Sequence, residues 1–437
     1  MTAVTTTSWG RVNHTMQDIR EPAFLDEVAQ HLVPESPSIA YGLGRSYGDV
    51  CLNGGGILIR THRLDRVMSV DWQHGIIRAE AGLSFDALLQ LVVPRGWFLP
   101  VTPGTKFVTL GGAVANDVHG KNHESAGTIG CHVRAIGLLR SSGEVLHLSQ
   151  ASMREMFAAT IGGLGLTGFI LWVELQLAPI KSAYFETETT RISNLVDFFC
   201  QAKEQQEWPY TAAWVDCFAR GAATGRGLFI RGRHAEAGGL EVHDVSSRLR
   251  IPIDAPTQLL RGPTVPLFNM IYSGRPGVEG RRRVHYDSFL YPLDRILDWN
   301  RLYGRSGFFQ HQSVVPLDQA PYTLRRLLEL TSTSRQGSFL VVLKLFGKRP
   351  SPGLLSFPRE GATFALDLPN RGSSTRELLG RMAAVVTEAG GAVYPAKDAT
   401  MSPEVFRAGF PRWKELEAHR DPAMMSDFWR RVARYQT

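Results

Sequence analysis

The chain has 437 residues, 43% hydrophobic and 20% charged; this globular composition excludes a disordered chain, a coiled coil and a collagen-like repeat, and the length allows two or three domains. Lys and Arg number 48 against 41 Asp and Glu, a net charge of +7, which favours an anionic partner (a phosphorylated substrate, a phosphate-bearing cofactor, a lipid headgroup or nucleic acid) without choosing among them. No apolar run reaches the ~18 residues of a membrane span, Met1 to Gly10 has no signal-like apolar core, and Cys51, Cys131, Cys200 and Cys217 form no C-x-x-C pair, so the expectation is a cytoplasmic protein with reduced thiols and no disulfide or metal framework.

In chain order, the apolar spacing of Phe24, Leu25, Val28 and Leu32 predicts a helix over Pro22–Val33. Ser38–Tyr41 is a short strand running into a glycine-rich loop, and Ile57–Arg60 and Ile76–Glu80 read as strands. A helix over Phe85–Val93 is ended by Pro94. Val133–Leu148 reads as a hairpin turning at Ser141-Ser142-Gly143, followed by a helix at Met153–Thr160 and a strand at Phe169–Leu177. Beyond Tyr184 the character changes, with fewer glycine clusters and more Trp, Tyr and Arg. Phe339–Phe346 predicts a buried strand, Thr363–Leu368 another, and Glu377–Glu388 a helix. Pro252–Gly280 is rich in Pro and Gly and reads as a long mobile loop ending in Arg281-Arg282-Arg283; Asp421-Pro422 reads as a helix start.

The 43 glycines exceed the number expected from average usage, and the excess clusters. Tyr41-Gly42-Leu43-Gly44-Arg45-Ser46-Tyr47-Gly48-Asp49 is one cluster. Pro103-Gly104-Thr105 followed by Thr109-Leu110-Gly111-Gly112-Ala113-Val114-Ala115-Asn116-Asp117-Val118-His119-Gly120-Lys121-Asn122-His123 is the second, and Gly162-Gly163, Gly165 and Gly168 form a third. Glycine permits close backbone approach, and successive N–H groups can cradle phosphate oxygens. A lone G-x-G is more often a tight turn, and the first loop is neither a Rossmann fingerprint nor a P-loop. Three such crossings in one unit suggest a long cofactor threaded through it. A nucleic-acid groove fits less well, because these segments lack interleaved stacking aromatics.

The succession G-x-G-R-S-Y-G-D, P-G-T, G-G-A-x-A-x-D-x-H-G-K-N-H and G-x-G-L-T-G resembles the flavoenzymes of the vanillyl-alcohol oxidase type. Within them it resembles the branch that oxidises polyprenyl-phosphoryl ribose, the flavin subunit of an arabinose-forming epimerase. The likeness extends to Tyr291-Pro292-Leu293-Asp294, Trp299-Asn300-Arg301, Lys344-Leu345-Phe346-Gly347 and Tyr394-Pro395-Ala396-Lys397-Asp398. It implies an α+β fold: a vanillyl-alcohol-oxidase-like FAD-binding domain over residues 1–180, with 392–437 returning to it, and a substrate domain with an antiparallel sheet over 181–391.

By the same likeness, Gly42, Gly44, Arg45, Ser46 and Tyr47 form the pyrophosphate loop. Gly104, Thr105, Thr109, Gly112, Asn116, His119 and Gly120 line the flavin, with Gly168, Ile170 and Tyr394 further along. Related lactone and alditol oxidases carry a flavin-linked histidine where this chain has Arg45, so the expected FAD is non-covalent. The expected chemistry is oxidation of the 2-hydroxyl of a polyprenyl-phosphoryl-β-D-ribose, with Lys397 first among base candidates, His119 as base or proton shuttle, and Lys344, Gln310, Gln312 and Tyr47 orienting the sugar. Ala365 stands where the branch has a cysteine facing the flavin, Glu124 where it has a second histidine, and Leu290 where it has an aromatic. The implied partners are the prenyl-phosphoryl pentose itself, a separate NAD(P)H-dependent short-chain reductase acting on the keto product, and a membrane surface met by Arg281–Arg283, with no nucleic acid. The alternative is an aldonolactone or alditol oxidase of the same fold.

Overall fold

The structure, a computed structural model, describes residues 3–33, 35–204, 207–245, 249–256, 260 and 264–433. Of the stretches read above, residues 1–2, 257–259, 261–263 and 434–437 lie outside these. The first of three main sheets is built from β1 (Ala3–Thr7), β2 (His14–Arg20), β3 (Ser38–Tyr41) and β4 (Ile57–Arg60), in the order β1-β2-β4-β3, with β2, β4 and β3 parallel. The second joins β5 (Val67–Asp71), β6 (Ile76–Glu80), β7 (Val133–Leu139), β8 (Val145–Ser149) and β9 (Phe169–Gln176) in the antiparallel order β5-β6-β9-β7-β8. The third has eight strands: β10 (Tyr184–Ile192), β11 (Tyr210–Val215), β12 (Gly227–His234), β13 (Gly280–His285), β14 (Phe308–Val315), β15 (Val341–Phe346), β16 (Gly361–Pro369) and β17 (Ala392–Val393). Their order is β13-β10-β12-β11-β15-β16-β14-β17, antiparallel at every pairing. The architecture is α+β, as the sequence implied.

The helices that matter for the site are α1 (Phe85–Val92), α2 (Leu110–Ala115), α3 (Arg154–Thr160), α4 (Thr264–Gly274), α5 (Ala320–Ser334), α6 (Ser373–Glu388) and α7 (Asp427–Val432). In α1, Ser84 caps the first turn by accepting the Ala87 N–H, and Phe85, Leu88, Leu89 and Val92 form its buried stripe. Leu324 and Leu328 of α5 and Leu378, Met382 and Val386 of α6 share a core with Phe309, Phe364 and Leu366. Alternation along a strand sends neighbouring side chains to opposite faces, so that core covers one face of the third sheet. The other face carries Gln310 and Gln312 of β14, Lys344 of β15, and Thr363, Ala365 and Asp367 of β16. Register sets Gln310 opposite Asp367, Gln312 opposite Ala365, and Lys344 opposite Thr363.

The C-terminal segment closes back on the start of the chain. Ser38 N–H donates to Ala423 O at 2.7 Å, and Gly54 N–H to Asp427 Oδ1 at 2.8 Å. Arg431 joins Asp49 at 2.7 Å and Asp398 at 3.3 Å.

Four local expectations change. Pro22–Val33 holds two 3₁₀ turns, Leu25–Glu27 and Ala29–His31, and no continuous helix. The Glu27 carboxylate accepts the Ala23 and Phe24 N–H groups and tightens the turn, while Val28 and Leu32 are buried in the core, Leu25 packs half-buried against it and Phe24 is exposed. Phe339–Phe346 is a strand from Val341, and its Val342 and Lys344 are half-buried because that face looks onto the site. Pro252–Gly280 contains α4 and is not one long loop. The buried stripe of α4 is Val265, Asn269 and Ser273, two of them polar, so apolar periodicity gives no sign of it. Asp421-Pro422 starts no helix: Asp421 accepts the Ser141 and Ala423 N–H groups and pairs with Arg140 at 3.3 Å, and α7 begins after its cap, Ser426. All four cysteines are free thiols, and among the described residues no helix is long and apolar enough to cross a membrane.

Candidate active site

The first two glycine loops touch. A Cβ on Gly42 would fall 2.4 Å from Thr109 Oγ1, so only glycine lets the first loop lie against the cap of α2. Gly44 takes the left-handed conformation, φ +61°, which glycine enters without penalty. Thr109 Oγ1 accepts the Gly112 N–H at 3.3 Å, and Ser46 O accepts the Trp9 N–H at 2.9 Å. Arg45 is held between aromatic rings, its guanidinium 3.9 Å from the Trp9 centroid and 5.1 Å from that of Phe107.

The Pro103-Gly104-Thr105 turn is anchored from below. Thr105 Oγ1 accepts the Phe107 N–H, and Lys106, 1% exposed, pairs with Asp287 at 2.5 Å and Asp294 at 3.9 Å while its backbone N–H donates to Asp294. Removing one partner of a buried ion pair leaves the others uncompensated. Lys106→Ala is expected to cost about 3–5 kcal/mol, read as a lower thermal midpoint of the holoprotein.

The second loop meets the third sheet. Gln312 Nε2 lies 2.9 Å from His119 Nε2, Lys344 Nζ reaches Gly120 O at 3.5 Å, and Tyr394 donates its hydroxyl to Asn116 O at 2.9 Å. Tyr47 N–H donates to Ala396 O at 3.0 Å, and Lys397 Nζ stands 3.9 Å above the Tyr47 ring. Tyr47, Asn116, His119, Gly120, Gln312, Lys344, Tyr394 and Lys397 are therefore brought together from five separate stretches of chain. Ile170 lies on β9, which packs against α2, and Gly168 immediately precedes that strand. A Cβ on Gly168 would meet Leu139 O at 2.7 Å, so β-strand packing alone explains that glycine.

Burial sets the protonation states. His119 is pushed well below the usual histidine value by burial and by the nearby Lys344, His123 and Lys397. It is neutral. In the tautomer that accepts the Gln312 amide N–H at Nε2, the ring proton is on Nδ1, which has no protein partner. Burial lowers Lys344 to about 8, and lowers Lys121 to about 7 with help from Lys344. Burial also lowers Lys397, opposed by Asp367, and raises Asp367, opposed by Gln310 and Lys397. Tyr47 stays a neutral phenol because burial raises it.

The arrangement has the features of a cradle for a planar, polar ligand. A Cβ on Gly104 would meet nothing within 4 Å, and one on Gly112 only Thr109 Oγ1 at 2.9 Å. Neither glycine is required by its protein neighbours. Asn116 Oδ1, His119 Nδ1, Asp367 Oδ2 and Arg45 Nε are buried without hydrogen-bond partners. Unpaired buried polar groups are rare in finished structures; a flavin dinucleotide offers matching donors, acceptors and a pyrophosphate, so the residues present fit FAD. Sequence reading did not assign Asp367 or Lys121. Asp367 carried one signal, an ionisable residue inside the apolar strand Thr363–Leu368.

Comparison with known proteins agrees with this geometry. Residues 28–149 match a family described as an FAD binding domain. The chain is 34% identical to the decaprenylphosphoryl-beta-D-ribose oxidase of Mycolicibacterium smegmatis, across 97% of this chain and 96% of that one. It is 30% identical to the L-gulonolactone oxidase of Scyliorhinus torazame over 32% of this chain and 31% of that protein, and 27% identical to the D-lactate dehydrogenase of Anaerostipes hadrus over 34% and 32%.

Proposed function

The chain belongs to the decaprenylphosphoryl-β-D-ribose oxidase family, as an FAD-dependent oxidoreductase acting on a CH–OH group, and from that premise we propose that it oxidises the 2-hydroxyl of a polyprenyl-phosphoryl-β-D-ribose to the 2-keto sugar. The observation that carries this reading is the meeting of two lysines at the cradle: Lys344 Nζ lies 3.5 Å from Gly120 O, and Lys397 Nζ stands 3.9 Å above the Tyr47 ring. Lys344, the cation beside the second loop, suits an anionic sugar better than a neutral lactone.

In this reading Gly42, Gly44, Arg45 and Ser46 hold the pyrophosphate, and Gly104, Thr105, Thr109, Gly112, Asn116, Gly120 and Tyr394 line the flavin, over the wall of Gly168 and Ile170. When bound, FAD would supply the two-electron oxidising power for loss of the carbinol hydride. The Lys397 amine accepts the hydroxyl proton as the C–O bond becomes C=O. Gln310, which donates to Asp367, and Gln312, which is fixed on His119, orient the sugar hydroxyls together with Tyr47. His119, held at Nε2 by Gln312, presents its unpartnered Nδ1 as a hydrogen-bonding group in the cradle. Lys344 balances the substrate phosphate. Released ketone is then reduced by a separate NAD(P)H-dependent short-chain reductase, which completes the inversion to the arabinose lipid.

Anaerobic mixing of the purified protein with synthetic prenyl-phosphoryl ribose is expected to bleach the flavin band and form one ketone per flavin. Bleaching by aldonolactones alone would move the assignment to a lactone oxidase. Arginine cannot bond covalently to the flavin as a histidine at position 45 would. Acid precipitation is therefore expected to leave all of the yellow colour in the supernatant; colour in the pellet would show a covalent link.

A further inference from the structure

The helix α4 is inverted. Its inward stripe is Val265, Asn269 and Ser273; Asn269 donates to Asp216 Oδ1 and Ser338 O, both at 3.2 Å, and Ser273 O accepts from the Arg191 guanidinium. The outward arc carries Leu267, Phe268, Met270 and Ile271, exposed by 51, 45, 58 and 61%. At 100° per residue, Thr264 and Gly274 fall on the same arc. It holds no charge. Large apolar side chains gathered on one exposed face mark an interaction site.

Two cations flank that arc. Arg275 follows the helix with its guanidinium 4.4 Å from the Tyr272 ring. Arg282 donates to Gly277 O and lies opposite Thr187 on β10, on the sheet face that also carries Arg191. Arg281 and Arg283 point to the other face by alternation, Arg281 pairing with Glu188 at 3.0 Å. Of the three consecutive arginines, only Arg282 therefore belongs to this surface. Among the described residues neither Arg275 nor Arg282 has a carboxylate within ion-pair distance. Edge-on and stacked rings connect the arc to the site: Phe268 to Phe339 at 5.8 Å, Phe339 to Tyr303 at 6.1 Å, Tyr303 to Phe308 at 4.1 Å, and Phe308 to Tyr47 at 5.3 Å, beneath Lys397.

We infer that the outward arc of α4 docks on the surface of a bilayer containing anionic phospholipid, with Arg275 and Arg282 on the headgroups. Eleven residues span about 16 Å, roughly half a bilayer core, so the helix lies on the surface as interfacial helices do. The choice of a bilayer rests on the lipid-linked substrate proposed above and on the charge of the flanks; a two-fold contact with a second copy would bring the same uncompensated arginines towards each other.

The test is co-sedimentation of the holoprotein with vesicles of phosphatidylcholine alone or mixed with phosphatidylglycerol. The expected result is retention on the mixed vesicles, weakened roughly tenfold or more in Leu267→Ser/Met270→Ser/Ile271→Ser, with flavin content unchanged. Arg275→Gln/Arg282→Gln is expected to remove the preference for phosphatidylglycerol. On a short-chain, water-soluble prenyl-phosphoryl ribose the triple variant should turn over as the parent does. Parent protein left in the supernatant, or a triple variant that sediments as the parent does, would overturn the inference. So would a concentration-dependent dimer, seen by light scattering, that the triple variant abolishes. Vesicle binding without flavin reduction by any prenyl-phosphoryl ribose would sink the proposed substrate and leave the docking surface standing.

Discussion

Replacing Lys397 with alanine is expected to lower turnover by roughly 10²–10⁴-fold, the usual worth of a positioned acid–base group, while the flavin stays bound. Lys397 Nζ sits on the Tyr47 ring beside Gln310 and Asp367, and not within the glycine loops, so its loss leaves the cradle intact. The base form of lysine is the neutral amine. Burial and Lys344 pull Lys397 below the ordinary lysine value, so the rate should rise with pH through a limb placed below the ordinary lysine range. Asp367 acts in the opposite sense and holds Lys397 up. Asp367→Asn should therefore move that limb to lower pH, a displacement that a purely structural role would not produce. Stopped-flow flavin reduction across a pH series measures both effects; unchanged turnover in Lys397→Ala would remove it as the base.

Gly112→Val is expected to yield folded, colourless protein. A side chain there meets only the Thr109 hydroxyl among protein atoms, so the fold tolerates it, but it projects into the space assigned to the isoalloxazine and displaces the Gly112 N–H from its Thr109 cap. By contrast, a Cβ on Gly48 would lie 1.6 Å from Asp398 O, and Gly48→Val should fail to fold. The flavin-to-protein absorbance ratio, read alongside circular dichroism, separates the two. Full flavin in Gly112→Val would mean that the second loop has been misassigned.

The parts of the site that could be read in advance are those whose chemistry is written locally. The glycine loops, the His119-Gly120-Lys121-Asn122-His123 run and the Val133–Leu148 hairpin each carry their constraint within a few residues, through backbone freedom or alternation. What escaped depends on distant partners. Asp367 gains meaning only beside Gln310 and Lys397; Lys106 looks like any surface lysine until Asp287 and Asp294 fold over it. Arg45, which the proposed function keeps at the pyrophosphate, is in addition stacked between Trp9 and Phe107, and nothing in the loop itself foretells either ring. The helix α4 was hidden for another reason: it buries polar groups and shows apolar ones, the reverse of the pattern used to find helices.

The Arg431 clasp carries a consequence for how the molecule is made. Its guanidinium grips Asp49, 382 positions earlier, and Asp398, both nearly sealed from water. During vectorial synthesis the nascent chain exposes Asp49 long before its counter-charge leaves the ribosome, and closing so long a loop is slow. The nucleotide cradle therefore matures only after Arg431 has emerged, and ribosome-bound intermediates that lack it should recruit flavin poorly however complete their N-terminal sheets.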